Sequence, residues 1–97
     1  MDLARLLKSV GQKTFVDYYH LFSDLRLTNQ EVVEQLPQRF TLKARNSKTG
    51  HARAIFREGL EVEALEFIGS STRAGNEGTA KAAQELLRQR RENEPKR

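Results

Sequence analysis

The sequence offers three kinds of residue that could do chemistry: two histidines, a run of glutamates, and a basic segment with no acid in it. His20 and His51 stand 31 residues apart, and neither has a second histidine at metal-ligand spacing. A zinc site is therefore not expected, and His20 reads as a helix-surface residue. Glu58, Glu61, Glu63 and Glu66 read as a solvent-facing acidic stripe rather than a general acid–base pair. The chain has no cysteine, which removes disulfides, thiolate catalysis and cysteine-bound zinc.

The segment between Glu34 and Glu58 is different. Its 23 residues hold Arg39, Lys43, Arg45, Lys48, Arg53 and Arg57 and no carboxylate. The whole chain has 17 basic and 13 acidic residues, so the remainder holds 11 basic against 13 acidic, a balance of −2. One segment thus carries more than the entire net charge of +4. A carboxylate beside a phosphate backbone repels it, whereas basic side chains release condensed counterions and drive binding. A merely solvated helix gains from mixing signs at i, i+4, as Glu77 and Lys81 do. Excluding acid is what a nucleic-acid contact face requires.

Within this segment Ser47-Lys48-Thr49-Gly50 invites two readings and satisfies neither. Its Lys-Thr-Gly lacks the Ser-x-x-Lys partner of serine acyl-enzymes. Nor does it have the upstream glycine of a phosphate-binding loop. It reads as a solvated turn. No catalytic residue, cofactor, metal or small-molecule substrate is expected, and the chain is read as a non-enzyme.

The elements that must position these residues can be traced from periodicity. Leu3, Leu6, Leu7 and Val10 follow i, i+3, i+4, i+7 and end at Gly11. Phe15, Tyr18, Tyr19 and Phe22 repeat the spacing, predicting a helix over 14–23 with Thr14 as its cap. Thr28-Asn29-Gln30-Glu31 is a capping box, Leu27 and Val32 have staple spacing, and Pro37 stops the helix. Further on, Leu60, Ala64, Phe67 and Ile68 line one face of a short helix ending at Gly69. The Gly/Ser-rich stretch 69–78 reads as a loop, and a last helix is expected over 79–91.

The basic segment itself has two readings. As a helix, Thr41 caps it, Ala52, Ile55 and Phe56 form its apolar stripe, and Gly59 ends it. As a hairpin over 39–57, Phe40, Leu42 and Ala44 alternate, residues 46–50 turn, and Ala52, Ala54 and Phe56 alternate back. Gly50 counts against the helix, while alanine, arginine and the scarcity of β-branched residues count against strands. The helix is the reading adopted.

Ninety-seven residues, with twelve Leu and nine Ala against five Val and two Ile, predict one small all-α domain. The expectation is about five or six short helices over 1–91, followed by a charged tail over 92–97, with α+β and a basic hairpin as the alternative. No apolar run nears the roughly 20 residues of a membrane span, and the first residues lack the pattern of a secretory signal, so a cytoplasmic protein is expected. A short capped helix, a turn and an element dense in Arg, Lys, Asn, Ser and Thr follow the order of a helix-turn-helix. On that order Lys43, Arg45, Asn46, Lys48 and Thr49 are the reading or clamping residues. Arg39, Arg53 and Arg57 are the phosphate contacts, with Arg45 and Asn46 the leading candidates for base edges.

The expected function is a small DNA-binding regulator, DNA ahead of RNA, with a log–log salt slope of about −4 to −6 if most of the six cations take part. The tail residues Arg88, Arg90, Arg91, Lys96 and Arg97 could add diffuse attraction. The alternative is a helical interaction module that binds an acidic protein surface, anchored by Tyr18, Tyr19, Phe22 or Phe40. A homodimer would serve either function.

Overall fold

The basic segment is a helix. In the computed structural model, which describes residues 2–72 and 74–93, Leu42–Arg57 forms one unbroken helix of 16 residues. The Thr41 hydroxyl accepts the Ala44 N–H at 3.1 Å and starts it. The hairpin reading is thereby overturned, and no strand occurs among the described residues. The physical reason is local: Ala44, Ala52, Ala54 and the long unbranched cations favour helix, and their summed propensity outweighs the cost of Gly50. The helix ends in a Schellman motif. Gly59 takes φ +69°, Leu60 N–H donates to the Ile55 carbonyl at 2.9 Å, and Gly59 N–H donates to that of Phe56 at 3.1 Å.

In chain order the helices are α1 Leu3–Val10, α2 Gln12–Asp17, α3 Tyr19–Ser23, α4 Asn29–Gln35, α5 Leu42–Arg57, α6 Glu61–Gly69 and α7 Glu77–Asn93. Seven helices are described where about five or six were expected. The extra one comes from the 14–23 segment, which begins two residues earlier and breaks at Tyr18 (φ −114°, ψ 23°). No glycine or proline marks that break in the sequence. Thr14, expected as a cap, lies inside α2 and is buried. The capping box of α4 forms as read: Glu31 N–H donates to Thr28 Oγ1 at 3.1 Å, and Thr28 N–H donates to Glu31 Oε1 at 2.9 Å. Residues 94–97, most of the expected tail, lie outside the described residues, whereas Glu92 and Asn93 belong to α7.

Helix α5 is the hub. It packs against α1, α3, α4 and α6, while α7 lies mainly along α6 and α2. The core gathers Leu7, Val10, Phe15, Phe22, Val32, Ile55, Leu65 and Ile68. Phe15 stacks on Phe56 at 5.6 Å between centroids, and Tyr19 meets both rings edge-on. Burial pushes the Tyr19 hydroxyl above its ordinary pKa, although Arg90 beside it pulls the other way.

Two assignments change on α6, one inward and one outward. Ala64, Leu65 and Ile68 face the core, and Phe67, read as inward, is 49% exposed. Glu61, read as solvent-facing, is turned in. Its side chain is only 14% exposed and pairs with Arg90 Nη2 at 3.0 Å.

Candidate nucleic-acid interface

A helix packed on four sides can offer only one stripe to a ligand, and that stripe sorts the basic segment into two groups. Lys43, Asn46 and Ser47 are exposed, Gly50 and Ala54 are half-buried, and Arg57 is exposed. Their i, i+3, i+4, i+7 relation puts them on one outer face of α5. Thr49, Ala52, Arg53 and Ile55 belong to the inner face.

Arg53 is buried at 3% exposure, and its guanidinium serves the fold. Nη1 donates to the Asp24 carbonyl at 3.2 Å and Nη2 to the Leu27 carbonyl at 2.7 Å, pinning the α3–α4 connection to α5. Burial depresses its pKa, with the Arg57 charge adding to the effect. Arg53 is therefore no phosphate contact. Thr49 is fully buried, so it cannot reach a base edge either.

Lys48 is also committed inward. Its Nζ donates to the Val10 carbonyl at 2.8 Å and lies 4.9 Å from the centre of the Phe40 ring. That carbonyl is one of the orphan acceptors at the end of α1, where Gly11 turns the chain at φ +89°. Lys48 thus caps a neighbouring helix. The Ser47–Gly50 stretch accordingly lies within a helix and is not a solvated turn. His51 Nδ1–H donates to the Ser47 carbonyl at 2.7 Å, one helical turn back.

Four cations of the six remain for an external ligand. Arg39 and Lys43 are exposed at the start of α5, and the Arg39 guanidinium lies 5.0 Å from the Phe40 ring centre. Arg57 is exposed at the far end of the helix, about 20 Å from Lys43 along the axis. Arg45 is half-buried, with Nε shielded from solvent and without a hydrogen-bond partner. Of the two leading candidates for base contact, Asn46 faces outward and Arg45 is turned partly in.

Gly50 shows something the sequence reading treated only as a cost. A Cβ there would meet nothing within 4 Å, so no internal packing demands a glycine. Its absent side chain leaves bare backbone on the outer stripe, between Ser47 and Ala54. The first turn also presents Leu42, exposed at 60%.

The cations expected to help from the C-terminal helix are partly neutralised. Arg88 pairs with Glu85 and Glu92, and Arg90 pairs with Glu61. Arg91 is exposed, and Lys96 and Arg97 lie outside the described residues. The burial of Arg53 and Thr49 had a legible signal. They extend the Ala52–Phe56 stripe backward at i, i+3, i+4, i+7, a pattern that residue chemistry obscured. The Lys48–Val10 bond had none, since it joins residues 38 apart.

No protein-family model, curated protein or solved structure matches the chain.

Proposed function

We propose that the chain is a non-catalytic DNA-binding protein that lays the N-terminal half of α5 into the major groove. The observation that carries this reading is the outer stripe of α5. It is exposed and basic at both ends, with polar or small residues in its middle, and its 23-residue setting contains no carboxylate. Helix α4, the connection over 36–41 and α5 then act as a helix-turn-helix-like unit. Arg39 and Lys43 bind phosphate at the groove edge, with Arg57 doing so farther along. Asn46 reaches a base edge, where the asparagine side chain suits adenine, and Leu42 offers apolar contact to a thymine methyl. Gly50 and Ser47 let the helix backbone approach closely. The proposed work is regulatory and cytoplasmic. A symmetric pair of chains would read two half-sites.

The test is a salt titration of binding to a labelled random duplex. With Lys48 and Arg53 occupied inside the fold, Arg39, Lys43, Arg45 and Arg57 give an expected log–log slope of about −3 to −4. No binding at low salt would sink the reading and leave the stripe to an acidic protein surface. Tighter binding to a single-stranded RNA of equal length would replace DNA by RNA.

Gly50→Leu probes the close approach separately. Leucine is the better helix former by about 0.8 kcal/mol, and the position is sterically open, so the variant should unfold at higher urea. Its duplex affinity should nonetheless fall about tenfold, because the side chain holds the backbone off the groove. Unchanged affinity in a more stable protein would show that the middle of α5 does not meet the ligand.

A further inference from the structure

A second surface lies away from the α5 stripe. Leu3 of α1 and Phe67 of α6 line an open groove of about 1040 Å³, bounded by Glu63, Glu66 and residues 70–72. Glu63, Glu66, Phe67 and Ser70 share the outer face of α6 by their i, i+3, i+4, i+7 spacing and are all exposed. Among the described residues, Phe67 is the single aromatic of the large exposed apolar side chains. Neither glutamate takes part in an ion pair among the described residues. The groove is too open to enclose a small molecule, since ligand pockets bury most of their occupant.

We infer that this groove docks a basic amphipathic helix of a partner protein. Apolar residues at i, i+3 and i+4 of that helix would cover Phe67 and Leu3, and its flanking Lys or Arg side chains would meet Glu63 and Glu66. Charge decides the class of occupant. The chain as a whole carries +4, yet among the described residues the charged groups lining this groove are both carboxylates. An acidic segment or a phosphate backbone would be repelled here, while the same ligands would be attracted to α5. The two surfaces thus select opposite partners, and a partner helix in the groove leaves α5 free.

Fluorescence anisotropy with the full chain and a labelled peptide tests the inference. The probe is an amphipathic helix of leucine and lysine, about two heptads long. It should bind the wild type. Phe67→Ala should weaken it about tenfold, and Glu63→Gln with Glu66→Gln should weaken it similarly while flattening its salt dependence. All three positions are exposed, so the variants should keep their helical CD signal. Three results would overturn the proposal: equal affinity for Phe67→Ala, equal binding of a scrambled peptide of the same composition, or sedimentation showing wild-type self-association that Phe67→Ala abolishes. The last would make the groove an interface between copies of this chain.

Discussion

Arg39→Glu combined with Lys43→Glu is expected to abolish duplex binding at moderate salt, a loss of about 100-fold or more, with helicity and stability nearly unchanged. Both side chains are exposed, Arg39 in the turn before α5 and Lys43 in its first turn. Removing two phosphate contacts should flatten the salt slope by about 2, and the new carboxylates would repel the same phosphates. The cost to the fold should be small, because the Arg39 contact with the Phe40 ring is exposed and worth about 0.5–1 kcal/mol. Electrophoretic mobility shift and urea denaturation on the same samples separate binding from folding. Retained binding with a normal slope would remove the N-terminal half of α5 from the proposed interface.

The choice of residues is a product of the tertiary structure. On sequence alone, reversal of Arg45 and Lys48 is the obvious pair. Lys48, however, donates to the Val10 carbonyl at 2.8 Å, so its replacement would strip a helix end of its partner. Lost binding in that variant could not be told from a damaged fold.

Arg53→Met should be the most destabilising change in the basic segment, by about 3 kcal/mol. The guanidinium makes two hydrogen bonds to main-chain carbonyls of the α3–α4 connection. Hydrogen bonds from charged donors contribute about 1.5–3 kcal/mol each, and the Asp24 and Leu27 carbonyls would lose these donors. Methionine recovers part of the packing, which keeps the estimate at the low end of the sum of the two bonds. The urea midpoint should fall with the m-value unchanged. Under folding conditions, the variant's duplex affinity should match the wild type's. Weaker binding with undiminished stability would return Arg53 to the phosphate contacts and contradict its buried placement.

These two experiments bear on an exposed and a buried part of the basic segment, and the sequence did not separate those parts by charge. It spaces Arg53 only four residues before Arg57 and lists both as cations. The two lie only about 40° apart around the helix axis, and the difference between them is the neighbour: the Asp24–Leu27 connection covers Arg53, whereas Arg57 stays in solvent. On α6 the neighbouring elements likewise leave Phe67 outward and Glu61 inward, against the expectation that apolar means buried and acidic means exposed.

Local rules held at most helix ends, although the expected Thr14 cap did not form. The Thr28–Glu31 capping box, the Thr41 cap and the Gly59 terminus of α5 involve residues a few positions apart, and all three appear as their sequence signals predict. The all-helical class likewise follows from leucine, alanine and long unbranched side chains. By itself, then, the sequence determined the fold class, most helix ends and the acid-free segment, because each depends on chemistry within a turn or two. Only the tertiary structure decided which cations face outward and that Lys48 caps α1. It also decided that Phe67 and the Glu63 and Glu66 carboxylates share a groove, because those facts depend on which elements pack against each helix, and local spacing carries no record of the neighbour.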